Sequence, residues 1–93
     1  MRIRHFNDKV GTSENDTAWD SPFEAYYIVI QNTHATNVLF VSFDGGSNYF
    51  TIGAADRSPI IRGYVNLPIH FEKRIKVKAS GANTTFEILA LMD

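Results

Sequence analysis

Cysteine is absent from this 93-residue chain. That excludes a disulfide framework and any thiolate metal site. Long hydrophobic runs are absent too: no stretch approaches the roughly 18 apolar residues that cross a bilayer, so no membrane role is expected. The start, Met1-Arg2-Ile3-Arg4-His5-Phe6, has no apolar stretch of the kind an export signal carries. Asn15-Asp16-Thr17 and Asn83-Thr84-Thr85 match the glycosylation pattern, but without such a signal they read as polar turn residues. The expectation is synthesis in a cytoplasm. Charge of one sign is also lacking, the net value being −1, which argues against a general polyanion binder. Helical periodicity is missing as well, since apolar residues recur at every second position rather than every third or fourth.

What is present is a globular composition. Hydrophobic residues make up 44% and charged residues 20%, which excludes disorder. Aromatics reach 13%, mostly seven Phe and four Tyr, and aromatics favour strands. The length suits a single domain over residues 1–93 with one modest core. Candidate strands run over Ile3–Val10, Glu24–Gln31, Val38–Phe43, Asn48–Ile52, Ile60–Leu67, Arg74–Ala79 and Thr84–Met92, with a short edge or crossover piece at Ile69–Phe71. Pro68 ends the fifth, having no N–H to give a ladder. Asp44-Gly45-Gly46-Ser47 carries the strongest hairpin signal, because glycine tolerates the positive φ of primed turns. Residues 11–22 form a long acidic loop whose one large apolar residue is Trp19. The expected fold is all-β: an antiparallel β-sandwich, jelly-roll-like, of about seven to eight short strands.

The alternation also raises a burial problem. Arg74, Lys76 and Lys78 alternate with Ile75, Val77 and Ala79, as a sheet with one solvated face requires. Other strands carry apolar residues on both faces. Tyr27, Val29, Val38, Phe40, Leu89 and Leu91 fall opposite the expected core side, and a sandwich of this size has one interior. Either they form an interface, or the 11–22 loop or a strand bend covers them. The candidate interface is therefore Trp19, Tyr27, Val29, Phe40, Leu89 and Leu91. Lys73, Arg74, Lys76 and Lys78 join it as a basic stripe complementary to Glu14, Asp16, Asp20 and Glu24; two separate solvated surfaces are the alternative. Arg2 and Arg4 would extend the stripe toward nucleic acid, but no aromatic platform interleaves it, and nucleic acid is not expected.

Catalytic chemistry finds little support. His5, His34 and His70 share no metal-ligand spacing, and Ser42 and Ser47 lie near Asp44 without a nucleophile elbow. Asp44, Ser47 and Asn48 offer oxygens that Ca²⁺ would accept, although a hairpin turn explains all three. No cofactor and no enzymatic activity are expected. Trp19, Tyr26, Tyr27, Tyr49 and Tyr64 would serve a carbohydrate-binding module if two stood coplanar on an open face; tyrosines at alternating strand positions more commonly serve core or interface.

The run Tyr27-Ile28-Val29-Ile30-Gln31-Asn32, then Asn37-Val38-Leu39-Phe40-Val41-Ser42-Phe43-Asp44-Gly45-Gly46-Ser47-Asn48-Tyr49-Phe50, pairs with the basic Arg74–Gly81 segment and the ending Thr84–Ala90. Together these resemble the small β-sandwich structural proteins of tailed-bacteriophage virions, a group that includes capsid decoration (cement) proteins and adaptor or tail components. The resemblance covers roughly residues 26–90. It implies a virion protein made in the host cytoplasm and assembling as a homo-oligomer, with a trimer among the arrangements. Its partners would be the major capsid protein or other virion proteins. A tail, adaptor or fibre component is the alternative. The resemblance assigns no site residues, and the acidic 11–22 loop has no counterpart in it.

Overall fold

The computed structural model describes residues 2–13, 15–16, 23–57, 61–64, 66–72 and 74–92, with backbone only at 15, 16 and 61. The described residues form nine strands: β1 (Arg2–Val10), β2 (Asn15–Asp16), β3 (Phe23–Asn32), β4 (Leu39–Ser42), β5 (Phe50–Ile52), β6 (Ile61–Arg62), β7 (Ile69–Phe71), β8 (Lys76–Ala79) and β9 (Thr84–Met92). Two of them, β2 and β6, are two-residue pieces. One sheet runs β1-β9-β3-β6, with β7 also pairing β3; the other runs β2-β8-β4-β5. Every ladder is antiparallel.

The pairs nest in sequence. First pairs with last (β1 with β9), then β2 with β8, β3 with β7 and β6, and β4 with β5. A long hairpin folded over itself in this way is a jelly roll, two packed sheets built from nested antiparallel arms. The Cα radius of gyration is 12.6 Å, the size expected of one domain of this length.

The core lies between the sheets and follows the two-residue period. Phe86, Ile88, Ala90 and Met92 of β9 meet Ile75, Val77 and Ala79 around β8, with Ile28 and Ile30 of β3 and Leu39 and Val41 of β4 filling the middle. An aromatic group closes one end. Phe23 stacks on Phe71 at 4.7 Å between ring centroids, and Phe43 lies 5.3 Å from Phe71 and 5.5 Å from Phe50.

Several strand assignments need correction. The 11–22 loop contains β2, which pairs with β8; Trp19 and the rest of residues 17–22 lie outside the described residues. The expected strand over Ile60–Leu67 is cut short at Arg62. Tyr64 and Leu67 exchange both backbone hydrogen bonds at 3.0 Å, so the chain turns back on itself there. Gly63 permits this, because a Cβ at that position would stand 2.8 Å from the Ile69 nitrogen. In β3 the register shifts between Ala25 and Tyr27. That bulge resets the phase, so Phe23 and Ala25 point inward below it and Ile28, Ile30 and Asn32 above it; Tyr26, expected to share a face with Ile28 and Ile30, is the extra residue and is half-buried. Asn32, just beyond the expected strand Glu24–Gln31, is the last residue of β3 and fully buried.

Candidate functional site

The outer face of the β1-β9-β3 sheet gathers apolar side chains from three strands. Register fixes their neighbours. Ile3 stands opposite Leu91, which stands opposite Tyr27; His5 stands opposite Leu89, which stands opposite Val29. Two adjacent cross-strand rows thus place Ile3, Leu91, Tyr27, Leu89 and Val29 side by side, at separations where cross-strand side chains touch. Ile3 is 69% exposed and Leu89 36%, while Tyr27, Val29 and Leu91 are half-buried.

Polar groups rim this patch. The next row is Asn7, Glu87 and Gln31, with Arg57 bridged to Gln31. Arg62 pairs with Tyr27 on the far side. His5 Nε2 lies 3.0 Å from Glu87 Oε2, both groups partly exposed. A shallow groove of about 350 Å³ runs between patch and rim, floored by Tyr27, Val29 and Leu89 and walled by His5, Glu87 and Arg57. An apolar centre within a polar rim is the general anatomy of a protein interface.

The sequence-predicted interface residues divide between two opposite surfaces. Tyr27, Val29, Leu89 and Leu91 come together on this face. Phe40 belongs to the outer face of the other sheet, between Lys78 and Thr51. Lys76 stands opposite Ser42 in the same sheet, and Arg74 is exposed just before β8. Lys73 and Trp19 lie outside the described residues. The basic stripe is not fully solvated either: Lys76 and Lys78 are half-buried, and Lys78 Nζ sits 4.3 Å above the Tyr49 ring, a cation–π contact. Two exposed apolar residues escaped sequence reasoning, Ile3 and Leu67 at 74%; Tyr64, considered above only as a sugar-stacking tyrosine, is 78% exposed. Ile3 joins the patch only through its pairing with Leu91, far away in sequence. Tyr64 and Leu67 were assigned to a strand, where alternation would have hidden one of them.

The polar candidates are accounted for by local structure. Asp44 Oδ1 accepts hydrogen bonds from Ser42 Oγ (2.6 Å) and from the Ser47 and Asn48 backbone N–H groups (3.0 and 2.9 Å), and Oδ2 accepts from Asn48 Nδ2 at 2.7 Å. The Ser42 hydroxyl, the Asn48 amide side chain and these N–H groups hold the carboxyl well below the usual range, because each stabilises the ionised form. Gly45 and Gly46 take φ of 78° and 99°, as the hairpin signal required. The donors that build this turn occupy both carboxylate oxygens of Asp44, one of the three residues considered above for Ca²⁺. His34 Nδ1 accepts from the Thr36 and Asn37 N–H groups at 3.1 and 2.9 Å, a turn-capping role. His70 Nδ1 lies 3.4 Å from Glu24 Oε1. Among the described residues no three His, Asp or Glu side chains gather in metal-binding geometry, and no helix is long and apolar enough to cross a membrane.

No protein-family model matches the chain, and no curated protein matches it. Solved structures of similar fold include the following two. A chain of Bacillus endospore appendages, a family of disulfide-linked pili, superposes with a TM-score of 0.59 over 99% of this chain and 87% of that one, at 7% identity. A chain of the virus-like particle of extra small virus from the giant freshwater prawn Macrobrachium rosenbergii superposes with a TM-score of 0.54 over 97% and 74%, at 6% identity. At these identities the likeness is one of fold.

Proposed function

We propose that this chain is a non-enzymatic structural subunit that docks onto a neighbouring protein through the outer face of the β1-β9-β3 sheet, and that its assembly is a virion, where it decorates the capsid. One observation carries the reading. Ile3, Leu91, Tyr27, Leu89 and Val29 form a single apolar surface inside a polar rim. Fully burying a large apolar side chain contributes about 1.5–3 kcal/mol, so a few of these residues suffice for a contact that repetition over a particle strengthens further. Two assembly proteins of similar fold, one a pilus component and one from a virus-like particle, are in keeping with it. The pilus family is disulfide-linked; this chain has no cysteine, so its contacts must be non-covalent in that sense.

The test is co-sedimentation of the chain with tailed-phage capsid particles assembled from a purified major capsid protein. The double substitution Leu89→Ser/Leu91→Ser should abolish binding while the circular dichroism spectrum and melting temperature hold. Undiminished binding of that variant overturns the docking face. Binding to purified tail structures in place of capsids overturns the decoration role and leaves the docking face standing.

A further inference from the structure

Among the described residues no strand pairs with the outer side of β1, so the β1-β9-β3 sheet ends there in a long edge. Strand β1 spans nine residues and pairs with β9 without any register shift from Arg2↔Met92 to Val10↔Thr84. Along it Arg2 to His5 and Asn7 to Lys9 are all exposed. It contains neither proline nor glycine, and no bulge interrupts it, so the usual devices that blunt an edge strand are missing apart from charge. The edge strand of the other sheet at its far side, β5, has only three residues.

The hydrogen bonds show which backbone groups of β1 face outward. Thr33 N–H donates to the Thr85 carbonyl at 3.1 Å, while Asn32 N–H turns the other way, to Asp56. Thr85 therefore faces β3. Direction alternates along a strand, so Thr84, Phe86, Ile88, Ala90 and Met92 face β1. Their partners Val10, Asp8, Phe6, Arg4 and Arg2 use their backbone groups within the ladder. Ile3, His5, Asn7 and Lys9 turn theirs to the open edge. An independent contact agrees: the Lys9 N–H is capped at 2.8 Å by the Oδ1 atom of its neighbour Asp8, as an edge donor would be.

The charges along this edge are self-complementary. Antiparallel pairing of β1 with a second β1 about a twofold axis through Phe6 matches all nine residues. Ile3 then opposes Lys9 and His5 opposes Asn7 in hydrogen-bonded pairs, using the groups that point outward. Arg4 opposes Asp8 twice, in the non-hydrogen-bonded pairs where side chains approach closest. Phe6, half-buried and 6.0 Å from the Phe86 ring, meets its own copy on the axis.

We infer that β1 pairs edge to edge with β1 of a second copy of this chain, joining two sheets into one across a twofold axis, with Arg4 of each copy against Asp8 of the other. Asp8 acts in both states. In the single chain it caps the Lys9 N–H; in the pair it releases that donor to Ile3 of the second copy and turns to Arg4. The contact is made by the backbone edge of β1 rather than by the side chains of the apolar outer face; the two share Ile3, and the edge pairing stands without the face.

Sedimentation velocity of the full chain tests this. The wild type should dimerise. Arg4→Asp and Asp8→Arg each set like charges against one another across the axis and should weaken self-association roughly tenfold or more. An equimolar mixture of the two variants should dimerise again, because across the mixed pair every such contact is of opposite charge. Asn7→Pro removes an outward N–H without touching the β9 ladder and should give a monomer with an unchanged circular dichroism spectrum; Leu89→Ser/Leu91→Ser should leave the dimer intact. A wild type that stays monomeric up to about 1 mM overturns the inference. So does a dimer that survives Asn7→Pro, or a mixture no more dimeric than its components. Loss of the dimer in Leu89→Ser/Leu91→Ser with retention in Asn7→Pro assigns self-association to the outer face and overturns the edge pairing alone.

Discussion

Val29 and Leu89 face each other across the β3–β9 ladder, one residue along from Ile30 and Ile88, which face each other in the core. The two pairs share chemistry and strands. They differ in which side of the sheet they occupy, and that difference separates function from stability.

It gives a direct comparison. Ile88 is fully buried, and Ile88→Ala leaves a cavity costing about 2–5 kcal/mol. Leu89→Ser removes an apolar group from a surface and should change stability by about 0.5 kcal/mol or less. Urea unfolding of the two variants checks this. A loss of several kcal/mol in Leu89→Ser would mean that the residue is part of the monomer's core rather than its docking surface.

Legibility from sequence followed contact range. The inward set of β9 was readable because strict alternation runs unbroken from Phe86 to Met92, and the turn at Gly45-Gly46 was readable because its φ values need glycine. The β3 bulge was not, because Ala25, Tyr26 and Tyr27 give no local mark of an inserted residue. The pairing of Ile3 with Leu91 is long-range and depends on register, which no single strand encodes. Hence four of the patch residues were named in advance but were grouped with Phe40, which lies on the opposite sheet.

Asn32 shows a polar residue acting as a structural core member. Its Nδ2 donates to the carbonyls of Asn37 (2.8 Å), Gly53 (3.1 Å) and Ile52 (3.3 Å), and its Oδ1 accepts from the His34 N–H at 2.9 Å. One side chain thus ties the end of β3 to two loops. Asn32→Leu keeps the volume but leaves these buried and part-buried groups without their partner, at up to about 1–3 kcal/mol for one that is fully buried. The expected outcome is a loss of at least about 2 kcal/mol in chemical denaturation, and hydrogen exchange should rise first in the 33–37 and 53–56 loops.

Asp44 makes stability depend on acid pH. Its carboxyl is held below its ordinary value of 3.8 by the Ser42 hydroxyl, the Asn48 side chain and backbone N–H groups. The unfolded chain therefore takes up a proton before the folded chain does. The contribution is complete above about pH 4 and declines as pH falls further toward the lowered folded value. Melting temperature measured from about pH 5 down to about pH 2 should drop more steeply for wild type than for Asp44→Ala. The variant should melt lower at neutral pH, and parallel curves would show that the turn does not depend on the charge.

Ala55 carries backbone strain that a glycine would relieve. Its φ is 54°, in the left-handed region where a Cβ costs roughly 1–2 kcal/mol. The conformation is imposed from both sides: the Ala55 N–H donates to the His34 carbonyl at 2.8 Å, and the next N–H, of Asp56, donates back to Gly53 at 3.2 Å. Ala55 is exposed, so removing its methyl group sacrifices little packing. Ala55→Gly should stabilise the chain by about 0.5–1 kcal/mol, the relieved strain exceeding the added freedom of the unfolded chain. Asn83, at φ 56°, supplies the control. Asparagine already tolerates this region, so Asn83→Gly should gain less than Ala55→Gly in thermal unfolding. Equal gains at the two positions would trace the effect to loop flexibility rather than to the Cβ of Ala55.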